Sequence, residues 1–267
     1  MSLPDQIAAI TGSDMADMAR LAGDMGGAMR ITLADGRRLI AKQGAVVERE
    51  GAMLAAIGAT GAPVPAIWHC SANLLLMDFV EAGARPAWQS LAEALDLLHR
   101  PASALYGWEA DYAFGAIAVR NAPMDNWPQF WAENRLLCHN AALHEAGHAD
   151  IARGLESLAA RLADLLPAAP PVSLLHGDLW GGNMLFDDSG IAALIDPASY
   201  YGHREVDIAM LTVFDHPPEP FFAACALQPG WRERLPVYRL WPLLIHLRAF
   251  GKAYRGQVKA ALDAYGF

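Results

Sequence analysis

The chain of 267 residues contains little cysteine and lacks long apolar segments. Its three cysteines, Cys70, Cys138 and Cys225, are far apart and form no Cys-x-x-Cys pair. This spacing argues against a disulfide framework and a zinc knuckle, and it is typical of a reducing compartment. No segment approaches the roughly 18 apolar residues of a membrane span. The N-terminal segment also has acidic residues where a signal peptide carries Lys or Arg. We therefore expect a soluble, cytoplasmic protein.

The chain also lacks a run of basic residues. Its net charge is −9, from 20 basic and 29 acidic residues, which argues against nucleic acid or an anionic membrane as a partner. Anionic ligands must then be held by a few local groups. The length allows one large domain or two lobes, with enough apolar content for a core.

One stretch, VSLLHGDLWGGNMLFDDSGIAALIDPASY, concentrates the polar residues that suit catalysis. It contains two predicted β-runs, Val172–His176 and Ile191–Ile195, and each is followed by an acid. Asp178 follows the first run, Asn183 comes five residues later, and Asp196 follows the second run, eighteen residues after Asp178. Loops at strand ends expose side chains on a fixed backbone, and these oxygen ligands suit Mg²⁺.

This order matches kinase catalytic loops, in which an Asp and an Asn five residues later act as base and metal ligand. His176 stands where the kinase loop has its own His. Turn chemistry explains Asp178 or Asn183 singly, but it explains the whole constellation poorly. A metal-dependent phosphohydrolase is the second interpretation, because His-x-Asp with a later Asp also suits attack by a metal-bound water.

A glycine-rich turn and a lysine early in the chain predict a phosphate-binding hairpin. Gly26 and Gly27 precede the β-run Met29–Leu33, and Lys42 ends the run after an Asp-Gly turn. Backbone N–H groups of such a turn can cover phosphates while the lysine reaches them.

The helix predicted over Val46–Ile57 supplies a partner for Lys42. Glu50 is the favoured partner and Glu48 its rival. A second hairpin is expected over Ile67–His69 and Leu74–Phe79, and the polar residues 80–86 that follow suggest a boundary. We divide the chain into an N-terminal nucleotide-binding lobe, 1–82, and a C-terminal catalytic and substrate-binding lobe, 83–267.

A short helix is predicted at residues 5–11 of the first lobe. The second lobe is predicted to be mainly helical. Its expected helices are Trp88–Arg100, Gln129–Glu145, His148–Leu166, one that begins near Arg204, Arg232–Ala249 and Gln257–Tyr265. Residues 106–128 are predicted to be a long irregular loop. Asp207 lies among apolar residues, where an unpaired acid is costly. We expect it to accept hydrogen bonds from the catalytic loop or to cap its helix.

The motifs HGDLWGGN (176–183) and DPASYYGHREVD (196–207) resemble those of the fructosamine kinase (ketosamine kinase) family, in the aminoglycoside-phosphotransferase-like branch of the protein-kinase-like fold. Weaker similarities in GGAMRITLADGRRLIAK, YGWEADYAFG and NWPQFWAENRL extend the resemblance over nearly the whole chain. It implies an α+β, two-lobed fold and phosphorylation of a sugar hydroxyl of a free or protein-bound ketosamine with ATP and Mg²⁺. Deglycation repair is a hypothesis that rests on this resemblance.

The resemblance also implies roles for individual residues. Asp178 would be the catalytic base, with Asn183 and Asp196 as metal ligands. ATP would be bound by Gly26, Gly27, Lys42, Glu50 and the backbone at Asp78, Phe79 and Val80. Substrate would meet a wall of Trp180, Tyr201 and Arg204, and structural support would come from His176 and Asp207. Relatives commonly carry Asn at the position of Tyr112, and a hinge Glu is more usual at that of Asp78.

Two further alternatives are weighed against this function. A kinase of the same fold could act on an aminoglycoside or a choline-like alcohol, and here the YYG and LWGG segments favour ketosamines. A non-catalytic nucleotide-binding module would be expected to lack at least one of Lys42, Asp178, Asn183 and Asp196, and all four are present.

Overall fold

The computed structural model describes residues 2–21 and 27–267. Its helices are α1 (Leu3–Thr11), α2 (Val47–Ala59), α3 (Trp88–Leu98), α4 (Trp127–Trp131), α5 (Asn140–Glu145), α6 (Ala149–Ala159), α7 (Leu162–Leu165), α8 (Glu205–Phe214), α9 (Glu219–Ala224), α10 (Trp231–Phe250) and α11 (Arg255–Asp263). Its strands are β1 (Met15–Arg20), β2 (Met29–Leu33), β3 (Arg38–Gln43), β4 (Ile67–Cys70), β5 (Leu74–Asp78), β6 (Tyr112–Phe114), β7 (Ile117–Val119), β8 (Ser173–Leu174), β9 (Met184–Asp187), β10 (Gly190–Leu194) and β11 (Tyr201–Gly202).

The first part of the chain forms an antiparallel five-stranded sheet in the order β1-β2-β3-β5-β4. Apolar side chains of β2, β3 and β5 cover both faces: Ile31, Leu39 and Leu76 pack with Ile7 of α1, and Ile40 and Leu75 pack with Leu54 of α2. Lys42 on β3 is opposite Leu75 in the register with β5. A central strand with buried neighbours holds this lysine in a fixed position.

The second part is mainly helical, and its core is built around α3, α6, α8 and α10. Within it lie the short β8–β11 pair and the β9–β10 hairpin. The chain between the two parts bonds to this hairpin, because the amides of Gly83 and Ala84 donate to Phe186 O at 3.1 and 3.2 Å. Leu194 N donates to Pro63 O at 2.8 Å, so the hairpin contacts both parts of the chain. The assignment of lobes to 1–82 and 83–267 stays a prediction.

The structure corrects several predicted elements. Strand β1 was not predicted, because its sequence MADMAR is largely exposed and lacks apolar alternation. The segment 106–128 is not wholly irregular, since it contains the β6–β7 hairpin. The predicted helix Gln129–Glu145 is a succession of α4, a π-helical turn at Ala132–Leu136, a 3₁₀ turn at Leu137–His139 and α5.

The helix predicted over His148–Leu166 is also interrupted, at Ala160 and Arg161, between α6 and α7. Leu158 and Leu162 on the two sides of the break are both buried. Their apolar period therefore continues through the interruption, and the sequence pattern does not reveal it. Helix α9 was likewise not predicted. Within the described ranges, none of the helices is of a length and apolar character that would cross a membrane.

Candidate active site

The turn after β8 carries Asp178, and a single amide side chain holds it. Asn183 Nδ2 donates to Asp178 Oδ2 at 2.9 Å and to Asp178 O at 2.8 Å. Asn183 is buried and lies in a 3₁₀ turn, Gly181–Asn183, that leads directly into β9. The spacing of five residues thus corresponds to a closed turn, in which the Asn fixes both the backbone and the carboxylate of the Asp.

The carboxyl group of Asp178 has an unusually high pKa. Burial, supported by the negative charges of Asp196 and Asp207, raises the pKa of Asp178 to about 7, although the Asn183 hydrogen bond acts in the opposite direction. A carboxylate with a pKa near the working pH is a stronger proton acceptor than an ordinary Asp. Asp178 can therefore serve as a general base.

Asp207 holds the backbone that precedes Asp178. Its side chain is fully buried and accepts the N–H of His176 at 2.8 Å and that of Gly177 at 2.9 Å. His99 Nε2 lies 2.9 Å from the same carboxylate. These hydrogen bonds outweigh burial and keep the pKa of Asp207 below its usual value. These are contacts of the kind expected from the sequence, and the supporting role of Asp207 stays a prediction.

His176 connects the two acid-bearing loops. Its ring is buried, Nε2 lies 2.9 Å from Ile195 O, and Nδ1 accepts the N–H of Asp178 at 3.3 Å. Burial lowers the pKa of His176, so the ring is neutral with its proton on Nε2. One imidazole thereby fixes the backbone at Asp178 and immediately before Asp196.

Gly177 allows these loops to approach closely. Its φ is +80°, and a Cβ atom at this position would lie 2.1 Å from Ala198 O. Both the left-handed backbone and the lack of space require glycine here.

Asp196 joins the site to the five-stranded sheet. Lys42 Nζ lies 2.5 Å from Asp196 Oδ1 and 2.7 Å from Glu50 Oε1. Burial opposes the charge of Lys42, but the two carboxylates raise its pKa overall. Asp196 also has a φ of +54°, which is uncommon for a residue other than glycine. The structure thus pairs Lys42 with the predicted Glu50, whereas Glu48 is exposed.

The predicted ATP-binding residues of the glycine-rich turn and of the segment after β5 differ in how available their backbone groups are. Gly26 lies outside the described residues, and Gly27 has a φ of +79° with open space around its Cα. Asp78 N donates to Ala66 O at 2.9 Å and Phe79 N to Arg38 O at 3.1 Å. These two amides are therefore already hydrogen-bonded to the chain on either side of β5. The Val80 N–H has no hydrogen-bond acceptor in the part of the chain that the structure describes, so of the three amides it is the one available to donate to adenine. The adenine contact at Asp78, Phe79 and Val80 stays a prediction.

The predicted substrate wall is only partly assembled. Trp180 is 40% exposed and packs edge-on against Phe214, with ring centroids 6.1 Å apart. Tyr201 packs against Trp108 at 5.3 Å. Arg204 instead lines a cavity of about 360 Å³ with Asp96, His99 and Gln228, and none of the proposed catalytic or metal-binding residues borders that cavity. The structure thus gives no support for Arg204 as a substrate contact.

Two residues of the site, His99 and Asp215, were not among those predicted from the sequence. His99 and Asp207 are 108 positions apart, so their contact has no local signal. Asp215 accepts the Gly181 N–H at 2.8 Å from the end of α8. Tyr112, whose position was noted as a departure, is half-buried, and burial together with the charges of Glu50, Asp196 and Asp178 raises the pKa of its hydroxyl.

The candidate metal ligands of the site are a few oxygen atoms. Within residues 2–21 and 27–267, no three or more His, Cys, Asp or Glu side chains form a group suited to a metal. Asn183 bonds to Asp178 through Nδ2, and its Oδ1 accepts no hydrogen bond within these ranges. This leaves a neutral oxygen and the carboxylate of Asp196 as the available pair.

Comparison with known proteins agrees with this geometry. The model of the family described as fructosamine kinase matches residues 19–265. The chain belongs to the fructosamine kinase family. A protein of Enterococcus faecium assigned as a ketoamine kinase is 34% identical over 198 residues, which are 72% of this chain and 71% of that protein. The chloroplastic protein-ribulosamine 3-kinase of Arabidopsis thaliana is 29% identical over 201 residues, 72% of this chain and 62% of that protein.

Solved structures extend the likeness to the whole fold. A Thermobifida fusca protein assigned as a fructosamine-3-kinase is 31% identical, with a TM-score of 0.90 and coverage of 98% of both chains. A thermostable mutant of an aminoglycoside phosphotransferase, in complex with ADP and hygromycin B, has a TM-score of 0.69 at 15% identity and 100% coverage of both chains. The latter likeness concerns the fold alone. The predicted α+β, protein-kinase-like fold and the predicted family are confirmed.

Proposed function

We propose that this chain transfers the γ-phosphoryl group of ATP to a sugar hydroxyl of a ketosamine. The observation that carries the proposal is the joint placement of Asp178, held by Asn183, and Asp196, paired with Lys42, in a chain of the fructosamine kinase family. Phosphoryl transfer requires mainly positioning and charge stabilisation. The names of the ketoamine and ribulosamine kinases among its relatives support the acceptor class.

Asp178 is the proposed base. It accepts the proton of the sugar hydroxyl while that oxygen bonds to the γ-phosphorus, and the bond between this phosphorus and the bridging oxygen of ADP breaks. Its raised pKa, about 7, favours proton transfer at neutral pH. Asn183 orients the carboxylate, and Asp207 and His176 hold the loop on which it lies.

Asn183 and Asp196 are the proposed ligands of Mg²⁺. The free amide oxygen of Asn183 and the carboxylate of Asp196 are the hard oxygen donors that this ion prefers, and so small a set leaves positions for phosphate oxygens. When bound, Mg²⁺ supplies positive charge that neutralises the phosphate oxygens.

Lys42 and Val80 are proposed to hold the nucleotide. Glu50 keeps the Lys42 ammonium charged and directed toward Asp196, where the phosphates would lie. Val80 offers a backbone N–H to adenine, next to the amides that the sheet consumes. Gly26 and Gly27 remain proposed phosphate contacts.

Two rival functions are less supported. A phosphohydrolase of the type considered above recruits additional His or Asp ligands, and the described residues contain no such group around the site. An aminoglycoside or choline-like acceptor would rest on the likeness at 15% identity, which concerns the fold only.

A coupled assay of ATP consumption with Mg²⁺ tests the proposal, with ribulosyl-lysine, fructosyl-lysine, kanamycin and choline offered in parallel. We expect ADP to form only with a ketosamine, and the product to carry one phosphate on its sugar. Turnover only with kanamycin or choline would overturn the acceptor class. Release of phosphate without any acceptor would favour the hydrolase.

A further inference from the structure

A continuous series of aromatic rings begins at the catalytic loop. The Trp180 ring contacts Phe214 at 6.1 Å between centroids, Phe214 contacts His246 at 4.8 Å, and His246 contacts Phe250 at 5.4 Å and Tyr254 at 4.9 Å. We call these five residues the aromatic strip. It connects the loop that carries Asp178 with the end of α8 and the C-terminal end of α10.

Both ends of the aromatic strip are open to solvent. Trp180 is 40% and Phe250 51% exposed, and Phe214, His246 and Tyr254 are half-buried. A contiguous exposed aromatic surface is uncommon unless something binds it. Trp180 follows Asp178 by two residues, so the inner end of the strip lies on the loop that carries the proposed base.

The local structure fixes the inner end of the strip. A Cβ atom at Gly182 would lie 2.3 Å from the Trp180 ring, so only glycine allows the indole to fold back over this turn. Asp215 follows Phe214 directly, and its Oδ2 accepts the Gly181 N–H at 2.8 Å. An indole face and a carboxylate at one point form a favourable environment for an organic cation.

The outer end of the strip has a different character. Phe250 and Tyr254 present ring surface, and the residue Lys252 between them in sequence is exposed. Lys252 places a positive charge on the segment between the two rings, which disfavours a second cation there. The outer end therefore suits a neutral apolar or aromatic group.

A ketosamine matches the two ends of the strip, because a cationic amine lies next to its sugar and an organic group lies beyond the amine. Its sugar is attached to a secondary amine, which is cationic at neutral pH, and the amine carries the remaining organic group. We propose that the aromatic strip binds this amine-derived part, with the ammonium beside Trp180 and Asp215 and an apolar or aromatic substituent along Phe214 and His246 to Phe250. This inference rests on the proposed function, and it specifies ketosamines of amines with extended apolar substituents as the preferred class.

The test compares two synthetic acceptors, the fructosyl derivatives of methylamine and of 4-phenylbutylamine. We expect the intact protein to favour the phenylbutyl compound by about tenfold or more in kcat/KM, since burial of a phenyl group on aromatic surface has effects of this size. Phe250→Ala should remove most of this preference by raising KM for the phenylbutyl compound, with the methyl compound within about twofold of the original. Phe250→Tyr keeps a ring and should retain the preference.

A matched control and a binding measurement complete the design. Leu105 is also an exposed large apolar residue, at 44%, but lies outside the strip, so Leu105→Ala should leave both acceptors unaffected. Saturation-transfer NMR without ATP should show contact of the phenyl protons with the intact protein and its loss in Phe250→Ala. Equal kcat/KM for the two acceptors, or equal effects of Phe250→Ala on both, would overturn the subsite and leave the proposed function intact. Absence of phosphorylation of either compound, with kanamycin or choline turned over instead, would overturn the proposed function, and this inference with it.

Discussion

Lys42 on the five-stranded sheet and Asp196 after the β9–β10 hairpin form an ion pair, with 2.5 Å between Nζ and Oδ1. The same ammonium is paired with Glu50, and both Lys42 and Glu50 are buried. One cation thus connects helix α2, strand β3 and the hairpin that carries a proposed metal ligand. Removal of either carboxylate reduces the compensation of the buried Lys42 charge.

Glu50→Gln should therefore weaken the binding of ATP more than it weakens the binding of the acceptor. The neutral amide no longer holds the Lys42 ammonium, and we expect KM for ATP to rise by about tenfold. The matched control is Glu48→Gln on the same helix, because Glu48 is exposed. Steady-state kinetics with varied ATP would check this, and equal effects of the two substitutions would contradict the assigned pair.

Asp207→Asn should destabilise the protein by about 3 kcal/mol, because the buried carboxylate accepts the N–H groups of His176 and Gly177 and an amide cannot accept both in the same way. Urea unfolding measures the change. Asp164→Asn, at an exposed acid on α7, serves as the control and should stay within about 0.5 kcal/mol. Similar unfolding midpoints for the two variants would show that Asp207 does not hold the loop.

Gly177→Ala should be much more harmful than a substitution of another glycine with positive φ. Its Cβ would lie 2.1 Å from Ala198 O, so the catalytic loop must move, and we expect a loss of about 3 kcal/mol and of most turnover. Gly36 has a φ of +88° but open space. Gly36→Ala should cost only about 1 kcal/mol and leave turnover intact. Thermal unfolding and the kinase assay on both variants would reveal whether the close approach at Gly177 matters.

Asp178→Asn should stabilise the protein in a pH-dependent way. The pKa of Asp178 in the folded protein is raised to about 7 from 3.8. The folded state therefore favours the neutral carboxyl group, and the protein is most stable below about pH 4. This stability is lost as the pH rises through 7 and the buried group becomes charged. Asn mimics the neutral form at every pH. We expect the variant to exceed the original protein in free energy of unfolding by about 4 kcal/mol at pH 8, with little difference at pH 4. A difference independent of pH, measured by urea unfolding, would contradict the raised pKa.

Candidate residues for catalysis and metal binding were easier to select from the sequence than the residues that support them. Asp178, Asn183 and Asp196 lie in one short stretch, and Lys42 and Glu50 lie on consecutive elements, so local spacing reveals them. The contact of His99 with Asp207 depends on how α3 packs against α8, which no local pattern encodes.

The least predictable elements are those whose side chains do not follow an apolar period. Strand β1 is held in the sheet by backbone pairing with β2, although most of its side chains are exposed. The β6–β7 hairpin has two strands of three residues each and lies in an aromatic segment. It places Tyr112 where burial and the carboxylates of the site raise the pKa of its hydroxyl. In both cases tertiary pairing determines the structure, and side-chain propensity has little influence.

Asp178 is proposed to accept a proton from a ketosamine hydroxyl during phosphoryl transfer from ATP. The most direct test of this role is to measure ATP binding by calorimetry and ketosamine-dependent ADP formation on the same preparation of Asp178→Ala. We predict an ATP affinity within about threefold of the original protein and a loss of turnover of about 10²-fold or more, since general-base catalysis contributes effects of this size. Turnover near that of the original protein, with ATP still bound, would contradict the claim.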